Sequence, residues 1–143
     1  LRLSQKANTE AIVFQKGVAD TLGIHITDLK ALLVLAYESP LSAGSLGERL
    51  KLTPGAVTGV VGRLEKVGLA QRIVDPKDRR KVSIKLDEKG SQQVKIMYDK
   101  IGKATTELLT TYSEEELIVL ISYFEKSLAL TQDHTFTRTM EES

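Results

Sequence analysis

The sequence predicts a mainly α-helical fold with a small β-wing, and three observations carry that prediction. Apolar residues recur at three- and four-residue intervals through most of the chain, the spacing of an amphipathic helix. Between Leu69 and Leu86 the period drops to two, as in a half-buried strand pair. Helix start and stop residues, Thr53-Pro54 and Gly68 among them, stand where the period changes or breaks. The 143 residues, 41% of them hydrophobic, fit one globular domain spanning 1–143.

Each element follows in order. Residues 4–21 set Ala7, Ala11, Phe14, Val18 and Leu22 on one stripe, an amphipathic helix ending near Gly23. Thr27 is the expected cap of a second helix. Its Leu29, Leu32, Leu33, Leu35 and Ala36 are too apolar all round to face water, which puts this helix at the centre of the core, and Pro40 closes it. Ser42 opens a short helix with Leu46 and Leu50 one turn apart, and Lys51-Leu52-Thr53 separates it from the next. Thr53 before Pro54 is a strong start signal, because the hydroxyl caps a free amide and proline occupies a position that needs no donor. Val57, Val60, Val61 and Leu64 form the inner stripe of that helix, and Gly68 suits its left-handed end.

The alternating segments Leu69–Val74 and Lys81–Leu86 flank Asp75-Pro76-Lys77-Asp78, which is turn chemistry, so a hairpin follows. Asp87 is placed to cap a helix from Glu88 to about Thr111, with Val94, Met97, Ile101, Thr105 and Leu108 along one side. At roughly 24 residues it would be about 36 Å long, more than a small domain needs to enclose its own core. Ser113 and Glu116 form a capping box for a last helix reaching about Leu130, and residues 131–143 are expected to be a frayed polar tail.

Composition excludes several classes of function. Without cysteine there is no disulfide scaffold, thiolate metal site or thiol nucleophile. The longest apolar run, Ala31 to Tyr37, is far too short to cross a bilayer, and Leu1 to Thr21 has no signal-peptide core, so a cytoplasmic protein with no membrane partner is expected. His25 with Asp28, and Asp133 with His134, fall short of a metal ligand set, and no phosphate loop or nucleophile elbow occurs. No metal, no cofactor and no enzymatic activity is expected.

Charge points the other way. The net charge is only +1, yet Arg49 to Lys85 holds ten basic and three acidic residues, a local +7 against −6 for the rest. That block coincides with the short helix, tight turn, second helix and hairpin. In that order these elements make a winged helix-turn-helix over 27–86, whose second helix fits the major groove of double-stranded DNA. The outward residues of that helix are Thr53, Gly55, Ala56, Thr58, Gly59, Gly62 and Arg63. The glycines lower helix propensity, a cost that makes sense where backbone must approach another surface closely. Lys77, Asp78, Arg79, Arg80 and Lys81 form the hairpin tip, where arginine suits a narrow minor groove and Asp78 is expected to hold the Arg80 guanidinium. The competing use of the same basic face is an interaction module for an acidic protein partner. The apolar stripes of 1–24 and 88–130 exceed what 60 residues of winged helix can cover, so they are expected to serve as dimerisation helices in a homodimer.

The stretches LGIHITDLKALLVLAY (22–37) and LSAGSLGERLKLTPGAVTGVVGRLEKVGLAQRIVDPKDRRKVSIKLDEKG (41–90), with flanking helices in order, resemble transcriptional regulators of the MarR (multiple antibiotic resistance regulator) family over residues 5–130. The family's Asp-x-Arg wing followed by Leu-Thr is met by Asp78, Arg80 and Leu86, with Asp87 in place of the threonine. The resemblance implies a homodimer on a pseudo-palindromic operator, and a repressor released when a small-molecule inducer binds between the dimerisation and DNA-binding parts. Near that junction the candidate effector residues are Phe14, Tyr37, Met97 and Tyr98.

Overall fold

The structure, a computed structural model, describes residues 2–133. Six helices and three short strands follow in order: α1 (Arg2–Leu22), α2 (Ile26–Glu38), β1 (Leu41–Ser42), α3 (Ala43–Leu50), α4 (Pro54–Lys66), β2 (Ala70–Val74), β3 (Val82–Leu86), α5 (Glu88–Leu109) and α6 (Glu114–Asp133). The described residues group into two compact units that divide between Asp99 and Lys100, inside α5.

In the first unit α2 is the central helix. Leu29, Ala31, Leu32 and Leu35 are fully buried, and they meet Leu46 of α3, Val57, Val60, Val61 and Leu64 of α4, and Ile84 of β3. Burying a leucine of this kind contributes about 1.5–3 kcal/mol, so the dense apolar run that marked α2 in the sequence is the anchor of the unit. Its start differs from expectation. His25 takes the cap position with no side-chain cap bond, and Thr27 lies inside the first turn. The turn closes two residues earlier, where the Leu29 amide donates to the His25 carbonyl at 3.0 Å, and Thr27 then has no free amide to cap.

The helix pair α3–α4 is built as its sequence signals require. The Ser42 hydroxyl accepts from the Ser45 amide at 3.0 Å, and the Thr53 hydroxyl accepts from the Ala56 amide at 3.3 Å. Lys51 ends α3 in the left-handed region at φ 54°, a conformation more often given to glycine or asparagine. Gly47 is buried where a Cβ would stand 3.1 Å from Val57 Cγ2 and 3.2 Å from the Leu52 carbonyl oxygen, which sets how closely α3 and α4 approach.

Strands β2 and β3 pair antiparallel with Ala70 opposite Leu86 and Val74 opposite Val82. A third strand, absent from the expectation, adds to the other side of β3: Leu41 pairs with Ile84 and Ser42 with Ser83, giving the order β1-β3-β2. Two residues carry no readable period, which is why β1 left no trace in the sequence. Gly68 holds φ 71° as its position demands. Asp87 Oδ1 accepts from the Lys89 amide at 3.0 Å, starting α5, and Gly90 packs directly on the backbone of Leu69.

The second unit holds the end of α5 and all of α6. Ser113 and Glu116 cap α6 reciprocally, the Ser113 amide donating to Glu116 Oε2 at 2.7 Å and the Glu116 amide to the Ser113 hydroxyl at 3.3 Å. Helix α6 continues to Asp133, three residues past the expected end, so 131–133 are helical and the rest of the expected tail, with His134, lies outside the described residues. Among the described side chains of α6, residues 114–132, none is buried in the chain; Ile118, Val119, Ile121, Phe124 and Leu128 are all exposed. Among the described residues no helix is long and apolar enough to cross a membrane.

Candidate nucleic-acid interface

Helix α4 turns Val57, Val60, Val61 and Leu64 into the core, and that fixes which residues face away. Thr53, Gly55, Ala56, Thr58 and Gly62 are exposed and Gly59 is half-buried. A Cβ built on Gly55 or Gly62 would meet nothing within 4 Å, and on Gly59 it would meet only the Arg63 guanidinium at 3.3 Å. Packing within the chain therefore does not require Gly55 or Gly62, and their backbone is open to an approaching surface.

The polar side chains of this face are partly committed already. Thr58 donates its hydroxyl proton to the Pro54 carbonyl at 3.0 Å, which leaves it lone pairs but no proton for a phosphate. Arg63 donates Nε to Asp28 Oδ2 at 2.9 Å and a terminal nitrogen to Asp28 Oδ1 at 2.7 Å. Asp28 is 1% exposed, whereas the Arg63 side chain remains 47% exposed. This two-pronged hydrogen bond holds the guanidinium above its usual, already high pKa. The residue expected as a donor to DNA is thus paired inside the protein.

Two further arginines of the basic block are also paired. Arg49 bonds both carboxylate oxygens of Glu38, which lowers the Glu38 pKa and raises that of Arg49, and Arg72 pairs with Glu65. The wing is different. Lys77, Arg79, Arg80 and Lys81 are exposed, and none makes an ion pair among the described residues. Their backbone is held by two acids. Asp75 Oδ1 accepts from the Lys77 amide at 2.7 Å, and Asp78 Oδ1 accepts from the Arg80 amide at 3.1 Å. Asp78 was expected to grip the Arg80 guanidinium; it meets the amide instead, because a side chain two residues back closes a tight turn onto the backbone. These bonds shape the backbone of the tip while its cations stay outward.

The four residues Phe14, Tyr37, Met97 and Tyr98 lie in the same unit. Phe14 and Tyr98 pack edge to face with ring centroids 5.4 Å apart, and Met97 and Tyr98 rest against the core. Burial, with a smaller contribution from the nearby Tyr37 phenol, raises the Tyr98 pKa above its ordinary value, and its buried hydroxyl has no hydrogen-bond partner. Tyr37 itself is 83% exposed. Among the described residues no cluster of three potential metal ligands occurs. Asp28 entered the sequence reading only beside His25; its pairing with Arg63 was missed, although an acid inside an otherwise apolar helix was a signal that it would find a buried partner.

A model of the MarR family matches residues 24–82. The uncharacterized HTH-type transcriptional regulator YcgE of Bacillus subtilis (strain 168) is 34% identical over 133 residues, covering 93% of this chain and 86% of YcgE. The chain belongs to the MarR family. Two solved structures share the fold of this MarR-family chain. A mutant of S. aureus MepR bound to an oligodeoxyribonucleotide superposes with a TM-score of 0.63 at 22% identity, over 90% of this chain and 94% of that one. NadR in complex with 4-hydroxyphenylacetate gives 0.65 at 19% identity, over 85% and 86%.

Proposed function

We propose that this MarR-family chain is a homodimeric regulator of transcription that binds double-stranded DNA sequence-specifically and represses until a small-molecule inducer releases it. The observation that carries the reading is the pairing of an exposed wing whose cations have no acidic partner among the described residues with a helix whose outer face is mostly glycine, alanine and threonine. Major-groove entry by α4 brings backbone and small side chains against base edges, and the wing cations meet the phosphates and minor groove beside it. The direct contacts are assigned to Thr53, Gly55, Ala56, Thr58 and Gly59 on α4, and to Lys77, Arg79, Arg80 and Lys81 on the wing, with Asp78 shaping the loop. MepR with its oligonucleotide supports the assignment by analogy of fold. Action on DNA implies a cytoplasmic protein, and the reading contains no catalytic step.

Dimerisation follows from exposed apolar surface. Leu3, Ile12 and Val13 of α1 and the bare faces of α6 would be costly to leave in water, and a two-fold partner buries both sets at once. Two winged units then address half-sites about 10 base pairs apart or a multiple of that spacing. For the inducer, Phe14, Tyr37, Met97 and Tyr98 supply aromatic and apolar surface and a phenol that lacks a partner, and NadR in complex with 4-hydroxyphenylacetate supports a small-molecule ligand by analogy of fold. An inducer needs to favour one dimer arrangement by only about 1–3 kcal/mol to change operator affinity markedly.

The test is a fluorescence-anisotropy titration of the purified protein on DNA from upstream of its own gene, with a random-sequence duplex as competitor. Specific binding that persists at moderate salt, and falls at least tenfold for Arg79→Ala/Arg80→Ala, is expected. Equal affinity for both duplexes would remove the sequence-specific regulator.

A further inference from the structure

The contact between Asp28 and Arg63 joins the first turn of α2 to the tenth position of α4, and nothing in the proposed DNA-binding function requires it as it stands. Arg63 is the only basic residue on α4 before its final residue Lys66, and it is half-exposed on the helix that faces the duplex. Asp28 is fully buried and gives both carboxylate oxygens to that one guanidinium. A buried acid that holds a half-exposed cation on a DNA-facing helix changes what that cation can do.

We propose that Asp28 is a specificity-determining residue: it neutralises and aims Arg63, so that the recognition helix up to its last residue, Lys66, carries no free cation able to grip phosphates regardless of sequence. The inference rests on the DNA-binding reading and deepens it. A guanidinium on a flexible side chain attracts any phosphate within reach, which raises affinity for all DNA alike. Pairing with a carboxylate cancels that charge at short range. The Nε edge is fixed on Asp28, and only the remaining donors, beside Gly59, face out. The helix then discriminates by fit of its small residues against the groove, and non-specific attraction is left to the wing. Asp28 also ties α4 to the central helix α2, so the recognition helix is presented at one angle.

The experiment measures salt dependence of binding to a random-sequence duplex and to an operator selected from a random pool with the native protein. Asp28→Asn keeps the size of the side chain and removes its charge. On the random duplex the slope of log affinity against log salt should steepen by about 0.9 per protomer, the value for one additional phosphate contact, and the operator-to-random ratio should fall. A purely structural role would weaken binding to both duplexes and leave the slope unchanged; an unchanged or shallower slope overturns the proposal. Thermal melting checks that the variant folds. If it does not, Asp28→Asn/Arg63→Gln decides: two amides can hydrogen-bond and carry no net charge, so the native slope is expected. A slope shallower by about 0.9 per protomer would mean that Arg63 was already a free cation on DNA, against the proposal. Failure of the native protein to bind either duplex sinks the DNA-binding reading itself, a result distinct from any of these.

Discussion

Replacing Gly90 by alanine sets two known effects against each other. Gly90 is the third residue of α5, where alanine should favour the helix by about 0.5–1 kcal/mol. A Cβ at this position, however, would stand 2.0 Å from the Leu69 carbonyl oxygen, 2.9 Å from its carbonyl carbon and 3.1 Å from its Cα. Carbon and oxygen approach to about 3.3 Å, so the first turn of α5 and the start of the hairpin must separate by about 1.3 Å. The Leu69 carbonyl also accepts from the Asp87 amide at 3.1 Å, and separation strains that bond. Overpacking against backbone costs about 1–3 kcal/mol and a weakened hydrogen bond about 1 more, which outweighs the gain in propensity by about 1–3 kcal/mol. For a chain of this size the expected loss is about 3–10 °C in Tm, read by differential scanning calorimetry at fixed protein concentration. A Tm equal to or above the native value would refute the argument that close approach, not turn geometry, keeps glycine there.

Gly62→Ala is the converse: with no atom within 4 Å of its Cβ it should raise stability by about 0.5–1 kcal/mol, and lower operator affinity in a titration because the methyl stands on the face offered to DNA. Tyr98→Phe removes a buried hydroxyl without a partner and keeps the ring against Phe14, so urea unfolding should show a gain of about 1 kcal/mol while any inducer response weakens. The same phenol gives a pH signature. Its folded-state pKa lies above the ordinary value near 10, so above that pH the unfolded chain loses its proton first, and stability should decline as pH rises; Tyr98→Phe should remove that part of the decline. Phe124→Glu places a charge on the bare face of α6, and sedimentation should shift from dimer to monomer at micromolar concentration.

The helices were legible because each carries either a periodic stripe or a cap that only one geometry satisfies. Thr53-Pro54 and Ser113 with Glu116 were read to the residue, since a hydroxyl three positions before a free amide has few other uses. The hairpin was read from Val82, Ile84 and Leu86 alternating with polar neighbours. What escaped was non-local or too short. Strand β1 is two residues whose pairing depends on Ile84, 43 positions away from Leu41. The cap of α2 fell to His25 because tertiary packing, not capping chemistry, begins that helix. The partner of Arg63 lies 35 residues earlier, at a separation no periodicity can reveal. The exposed positions of the candidate interface followed directly from the inward ones, and their electrostatic state did not.

That difference alters what the charge of the segment means. Counted along the chain, Arg49 to Lys85 is a block of net +7. In the folded unit Arg49, Arg63 and Arg72 are satisfied by Glu38, Asp28 and Glu65, two of which lie outside the block. The cations left without an acidic partner are then concentrated in the wing, while the first turns of α4, ahead of Arg63 and Lys66, present backbone, methyl and hydroxyl groups. A duplex meeting this surface is attracted through one element and tested for fit by another. Attraction through phosphates weakens steeply with salt, whereas the fit of small groups in a groove does so much less. Substitutions in the wing should therefore change the salt slope, and substitutions of the α4 glycines should shift affinity at every salt concentration by a similar factor. Separating those two responses distinguishes a reader of DNA sequence from a protein that merely carries a basic patch.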